Sequence, residues 1–361
     1  ETRVGVALLT ANNAIVHGAE SASRARVLEW ISDGTVGIII GTHSLIQEGV
    51  AFARLGLAVV DEQHRFGVHQ RVRLRDKTEG YDPDLLIMTA TPIPRTLSMT
   101  LYGDLDVSLL DEMPPGRRPV ATMQVSKDPA SLDRVQDLVR SEATAGRQTF
   151  VVCPLVEDSD KLEAKSATAE YERLIEVYPE LRLGLLHGQM RPQDKDEVMH
   201  RFRRGALDVL VATTVIEVGI DIPSATVMVI EDADRFGLSQ LHQLRGRVGR
   251  GEHLATCVLV AEPTTPEGEQ RIEAMLATTD GFRLAEVDLQ IRGQGTVFGS
   301  RQSGITDLKL ADILRDVEEL IDARREAFAL VDADPDLADH PELADEVSLL
   351  LGEDAEWLER S

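Results

Sequence analysis

The chain has 361 residues, 43% of them hydrophobic, with 38 Lys and Arg against 62 Asp and Glu, giving a net charge of −24. This length allows two domains and a smaller third piece, and the charge disfavours sequence-blind, high-affinity attachment to polyanions while leaving local phosphate-binding surfaces open. No run approaches the ~18 apolar residues of a spanning helix, so no membrane partner is expected.

The opening ETRVGVALLT lacks the basic-then-apolar layout of a signal peptide, which points to the cytoplasm. It also lacks a starting Met and begins on a strand pattern, as a piece of a longer chain would. Strands are expected at 4–10 (VGVALLT), 36–42 (VGIIIGT), 57–62 (LAVVDE), 84–91 (DLLIMTAT) and 105–110 (LDVSLL). After a proline-rich stretch, MPPGRRP (113–119), a second series is expected at 120–125, 149–156, 181–188, 207–215, 225–232 and 255–262. Continuous apolar runs of this kind fit strands covered on both faces of a parallel sheet. The intervening SASRARVLEWISDG and LDRVQDLVRSEATAG have helical spacing and glycine stops. Pro114, Pro115, Gly116 and Pro119 favour two doubly wound α/β domains, 1–116 and 117–265, over one large domain. Cys153 and Cys257 sit in apolar runs and are expected to be buried thiols. Residues 266–361 form a third piece: two helical segments, the glycine-spaced loop RGQGTVFGSRQSG (292–304) and an acidic helical tail. From Asp307 to Ser361 there are 18 acidic and 5 basic residues, so this segment supplies −13 of the charge.

Four stretches carry chemistry. In LAVVDEQHRFG (57–67), Asp61 and Glu62 follow a strand where α/β proteins bind ligands. There one acid holds Mg2+, usually through water, and the other orients an attacking water, although for such a pair alone an acidic strand end capping the next helix is the simpler reading. In MTATPIPRT (88–96), Thr89 and Thr91 offer hydroxyls to His64 or a nearby acid. In QLHQLRGRVGR (240–250), Gln243, Arg247 and Arg250 at i, i+4 and i+7 are expected on one helix face, aimed at a phosphate. In VATTVIEVGIDIPSA (211–225), Thr213 and Thr214 suit a nucleic-acid backbone, and Gly219 and Asp221 a ribose. LLHGQM (185–190) and GTHSL (41–45) are similar polar loops at strand ends, and each alone also fits a plain loop.

Taken in order, DEQH, TAT, TTVIEVGIDIP and QLRGRVGR resemble the motifs of superfamily-two helicases. The fuller strings DEQHRFGVHQR, MTATPIPRTL and DADRFGLSQLHQLRGRVGRG narrow the resemblance to the RecG family of branched-DNA helicases, over about residues 1–305. TTDGFRLAEVDLQIRGQGTVFGSRQSG (278–304) resembles the helical hairpin and loop that this family shares with the Mfd transcription-repair coupling translocase. DEQH and the RQSG ending favour RecG. One departure is Ala11, where the family pattern has glycine.

The resemblance implies an α/β fold of two RecA-like doubly wound parallel-sheet domains, the first incomplete, then a helical hairpin and acidic helical tail. It implies ATP and Mg2+ as cofactors: Asp61 and Glu62 would serve Mg2+ and water activation, and Gln63 and His64 would link hydrolysis to movement. Gln243, Arg247 and Arg250 would reach ATP, with Gly219 and Asp221 alongside. Thr42, His43, His187, Gly188, Thr213 and Thr214 would touch the DNA backbone, and Thr89, Thr91, Arg292, Arg301 and Gln302 would couple hydrolysis to movement. The implied partners are branched DNA (forks, four-way junctions) and single-stranded-DNA-binding protein, with a monomeric motor.

A phosphate-binding loop of the GxxxxGK[ST] type needs lysine directly after glycine. The six lysines, at 77, 127, 161, 165, 195 and 309, follow Asp76, Ser126, Asp160, Ala164, Asp194 and Leu308. In the RecG family this loop and the junction-splitting wedge precede the region that begins here, so the chain is expected to be inactive alone. The first sheet is expected to leave an apolar face open and to be prone to aggregation. An Mfd-type translocase and a non-catalytic DNA-binding module are the competing expectations.

Overall fold

The computed structural model describes residues 4–11, 13–18, 22–47, 49–62, 77, 83–89, 106–110, 112, 118–154, 160–213, 222–292 and 316–351. Two compact units emerge, one of Glu1–Ala90 with Phe328–Ser361 and one of Thr91–Ala327.

In the first unit, β1 (Gly5–Leu9) lies between β2 (Ala14–Val16), antiparallel to it, and β3 (Val36–Gly41), parallel to it. Helix α1 (Arg24–Ser32) is started by Ser23, whose Oγ accepts the Arg26 N–H at 3.3 Å. Its Val27 and Ile31, four residues apart and so on one face, are buried with Ala7, Leu9 and Val36. A separate parallel pair, β4 (Leu57–Val60) and β5 (Asp84–Ile87), carries the DEQH and TAT stretches.

Three expectations need correction here. The strands of this unit form two sheets rather than one, and β2, an apolar run of only three residues and so too short to show a strand pattern, was not foreseen. LDVSLL forms no strand over 106–110; among the described residues no strand pairs with it, Asp106 and Ser108 interrupt its apolar residues, and Leu110 lies in solvent. Burial on both faces also fails: Ile38, Ile40, Leu57, Val59 and Leu86 are each at least 50% exposed. The open apolar face expected for the first sheet is therefore present.

In the second unit the chain runs β6 (Ala121–Val125), α2 (Pro129–Thr144), β7 (Gln148–Val152), α3 (Asp160–Val177), β8 (Leu183–Leu186), α4 (Pro192–Arg203), β9 (Val209–Ala212), β10 (Ala225–Ile230), α5 (Leu238–Arg245), β11 (Thr256–Val260), α6 (Pro266–Ala277) and α7 (Gly281–Arg292). All six strands are parallel, in the order β6-β11-β10-β7-β9-β8. Strands β7, β9 and β10 are buried along their whole length, as their uninterrupted Val, Leu and Ile require. Successive residues serve opposite faces: Phe150, Leu210 and Met228 join one core with Phe202, while Val151, Val211 and Val229 join the other with Val139. Strand order reverses between β7 and β10, which places the topological switch point at their carboxyl ends.

Cys153 and Cys257 are free and buried, as expected; burial pushes both thiols up, Cys257 to about 12. Past α7, the structure describes α8 (Val317–Ala333) and α9 (Pro341–Leu351). Between them the Asp334 carboxylate accepts the N–H groups of Ala338 at 2.8 Å and Asp339 at 2.9 Å, and pairs with His340 Nδ1 at 3.0 Å. The His340 contact is the main reason Asp334 titrates below its usual range. Among the described residues no helix is long and apolar enough to cross a membrane.

Candidate nucleotide and nucleic-acid site

Asp61 and Glu62 stand directly beyond β4. The Asp61 Oδ1 accepts the Glu62 N–H at 2.9 Å, and Glu62 has φ +57°, a left-handed conformation that costs a non-glycine residue on the order of 1 kcal/mol. Thr89 lies just past the end of the neighbouring strand, where the Met88 N–H donates to the Val60 carbonyl at 2.8 Å. Adjacent carboxylates are hard oxygen donors suited to Mg2+. Among the described residues no group of three or more His, Cys, Asp or Glu gathers, so an ion here needs further oxygens from a ligand, as phosphates supply.

At the end of β3, Gly41 permits the turn into Thr42 and His43. A side chain on Gly41 would place its Cβ 2.3 Å from the Leu9 carbonyl oxygen. Ser44 then anchors the loop, its hydroxyl donating to the same carbonyl at 3.0 Å, while Thr42 and His43 stay exposed.

In the second unit, the register Leu186↔Ala212 brings His187, Gly188 and Thr213 together at adjacent strand ends. The Thr213 N–H donates to the Leu186 carbonyl at 3.2 Å. Among the described residues, the buried Thr213 Oγ1 and His187 Nδ1 have no hydrogen-bond partner, a cost that a ligand would relieve. Lys195 Nζ donates to the Gly188 carbonyl at 2.6 Å. Burial first, and the Lys195 cation second, lower the His187 pKa from 6.5 and favour the neutral ring. Lys195 was missed in the sequence, where it sits among acids in a helical run.

The arginine motif departs from expectation. Gln243 lies on α5, but the helix stops at Arg245 and Gly246 caps it, its N–H donating to the His242 carbonyl at 3.0 Å. Arg247 and Arg250 therefore do not share a helix face with Gln243; they occupy the turn that follows. Gly249, at φ +72°, reverses the chain, and Arg250 Nε donates back to the Gly246 carbonyl at 3.2 Å. The two glycines that weaken a helix end it instead.

Arg245, also missed, is 3% exposed and gives its guanidinium to four acceptors: the carbonyls of Met275 (3.0 Å) and Thr278 (2.9 Å), Thr122 Oγ1 (3.5 Å) and His242 Nδ1 (3.0 Å). The switch point is acidic. Glu231 and Asp232 follow β10, Lys127 pairs with Asp232, and the Lys127 N–H donates to Glu262 Oε1 at 3.0 Å. Glu231 is pushed up to about 7, mainly by burial and then by Glu170, with Arg173 opposing. Carboxylates at that position do not suit a triphosphate.

Gln63, His64, Thr91, Thr214, Gly219, Asp221, Arg301 and Gln302 lie outside the described residues, as does the side chain of Arg292. Asp61, Glu62 and Thr89 belong to one unit; Gln243, Arg247 and Arg250 belong to the other.

A model of the helicase conserved C-terminal domain matches residues 130–252, and one of the C-terminal part of domain 3 of the ATP-dependent DNA helicase RecG matches residues 278–348. The chain is 48% identical to the ATP-dependent DNA helicase RecG of Bacillus subtilis over 332 residues, 92% of this chain and 47% of that protein. It is 51% identical to that of Streptococcus pneumoniae over 309 residues, 85% of this chain and 46% of that one. The chain thus spans about half the length of the curated relatives it matches. Among solved structures, RecG bound to a three-way DNA junction aligns with TM-score 0.65 and 42% identity, covering 89% of this chain and 40% of that one. The helicase MrfA bound to DNA aligns with TM-score 0.55 at 18% identity over 80% of this chain and 42% of its own, a likeness of fold alone.

Proposed function

Since the chain belongs to the RecG helicase family across the segment it shares with those relatives, we propose that it is the motor portion of an ATP-dependent DNA helicase that remodels branched DNA in recombination and repair. The observation that carries this reading is the alignment, at 42% identity over 89% of the chain, with a RecG held on a three-way junction.

In this reading residues 1–116 belong to the first motor domain, 117–265 form the second, and 266–361 form the coupling element and acidic tail. Asp61 and Glu62 would hold Mg2+, which when bound neutralises phosphate charge, and Glu62 would orient the attacking water. Gln243, Arg247, Arg250, Gly219 and Asp221 would contact the nucleotide from the second domain, with the arginines stabilising charge on the phosphates. Gln63, His64, Thr89, Thr91, Arg292, Arg301 and Gln302 would relay hydrolysis to movement. Thr42, His43, His187, Gly188, Thr213 and Thr214 would hold the DNA backbone; the partnerless Thr213 hydroxyl and His187 ring nitrogen support this for the second domain. Single-stranded-DNA-binding protein is a further partner in this reading, which has the motor acting as a monomer in the cytoplasm.

The 361-residue chain itself has no lysine after a glycine, and we hold it inactive in ATP hydrolysis. The test is DNA binding by anisotropy together with phosphate release in the presence of a three-way junction. Binding without DNA-stimulated turnover is expected. Robust turnover overturns the inactivity, and no binding even at low salt overturns the DNA reading.

A further inference from the structure

We propose that Arg201, Arg203 and Arg204, with Arg182 beside them, form a second binding site for the phosphate backbone of duplex DNA, at the amino-terminal ends of strands β8 and β9, opposite the carboxyl ends that carry His187 and Thr213. The proposal rests on the DNA-motor reading and assigns it a surface that no strand-end motif includes.

Helix α4 is electrically divided. Asp194, Asp196 and Glu197 lie in its first half, while His200, Arg201 and Arg203 occupy its last turn and Arg204 caps it. Cations at a helix C-terminus commonly serve the free carbonyls and the dipole. Here that work is done by other groups. The Phe202 carbonyl accepts Gln148 Nε2 at 2.7 Å and the Gly205 N–H at 3.0 Å. The Arg201 carbonyl accepts the Ala206 N–H at 2.9 Å, and the Gly205 carbonyl accepts Arg182 Nη2 at 2.9 Å. The side chains of Arg201, Arg203 and Arg204 are all exposed.

In a chain with 62 acids to 38 bases, arginines readily find carboxylates. Arg26, Arg140, Arg147, Arg173, Arg182, Arg191, Arg283 and Arg325 do, whereas among the described residues Arg24, Arg54, Arg118, Arg134, Arg235 and Arg271 do not, each standing apart from the others in the sequence rather than in a cluster. Among the described residues Arg201, Arg203 and Arg204 make no ion pair, although Glu197 lies one turn before Arg201. Their backbone is also held firmly. Between them Phe202 is fully buried, its ring 5.0 Å from that of Phe150, and Gln148, which holds the Phe202 carbonyl, is itself held by Ser224 at 2.5 Å. A rigid backbone presenting three uncommitted guanidiniums suits an extended polyanion whose phosphates recur along a line.

Arg182 precedes β8, whereas His187 follows it. A strand of this length separates its two ends by roughly 13 Å, so the arginines and the residues at the carboxyl end address different stretches of backbone. A branched substrate has more than one duplex arm to offer. The acidic remainder of the chain would favour approach of DNA to this end of the sheet.

Anisotropy of the 361-residue chain with a labelled linear duplex and a labelled three-way junction, across a salt series, tests the site. Replacing all three residues with alanine (R201A/R203A/R204A) should weaken binding to both DNAs and lower the slope of log affinity against log salt by roughly 2–3, equally for unrelated base sequences. Each single alanine variant should lower it by about 1. The lysine variant R201K/R203K/R204K should keep the slope, and thermal melts should match wild type. Alanine variants with the wild-type slope overturn the second site and leave the DNA reading intact. A wild-type chain that binds neither DNA overturns both. Binding of polyglutamate through these arginines in preference to DNA also overturns the proposal, in favour of an acidic polypeptide partner.

Discussion

Arg245 donates to the Thr278 carbonyl at 2.9 Å, joining the helix that leads into Arg247 and Arg250 to the turn that opens α7. The same guanidinium holds the Met275 carbonyl at 3.0 Å, so the last turn of α6 is capped by a side chain from another helix. Replacing Arg245 with Met leaves these carbonyls without that donor and should cost about 2–4 kcal/mol. Hydrogen exchange should quicken in the 276–283 amides and in the 246–250 turn together. Faster exchange in only one of the two segments would show that Arg245 does not link them.

Gly249 controls the direction in which the arginine turn leaves α5. At φ +72°, with a Cβ that would lie 3.1 Å from Val120 Cγ2 and 3.2 Å from Ala255 Cβ, alanine is both strained and crowded. Gly249→Ala should destabilise the chain by about 1–2 kcal/mol, read as a lowered urea midpoint. An unchanged midpoint would mean that the turn adopts another conformation without cost.

Glu231 makes stability depend on pH in the direction opposite to a salt-bridged acid. Its folded value, pushed up to about 7 by burial, lies above the ordinary 4.5. Its contribution is therefore complete below about pH 4.5 and is lost as pH rises through about 7. Glu231→Gln, which has no proton to lose, should stabilise the chain near pH 8 by up to about 3 kcal/mol and change little near pH 4. Equal effects at both pH values would contradict burial of the charge.

Ile38 and Ile40 project from β3 on the side away from the Val27 and Ile31 contacts. Changing both to Thr keeps a β-branched side chain and removes exposed apolar area. Light scattering of concentrated protein should fall, while the melting temperature changes little. Unchanged scattering would place the association surface elsewhere.

Most of this architecture was legible because parallel strands advertise themselves: VLVA, ATVMVI and TFVV are uninterrupted apolar runs, and each became a buried strand. LDVSLL is interrupted by Asp106 and Ser108, and among the described residues nothing pairs with 106–110, since pairing is a property of the sheet rather than of the run. Helical spacing also continued past Gly246, because periodicity counts residues and takes no account of the chain reversing at Gly249. The strand-end position of Asp61 and Glu62 was readable from local order. Arg245 was not, because its carbonyl acceptors lie 30 and 33 residues away and nothing in QLRGR points to them.

The stretch between α8 and α9, rich in Asp, Ala and Pro, has the composition of a solvated tether. Asp334 instead gathers Ala338, Asp339 and His340, with Leu337 held at φ +50°. Such a corner fixes helical phase: one residue inserted between 334 and 340 would either break the Asp334 contacts or turn Leu343 and Val347 through about 100° around the α9 axis. This corner of the acidic tail is therefore an indexed joint, sensitive to the number of residues within it and held by the one carboxylate at Asp334.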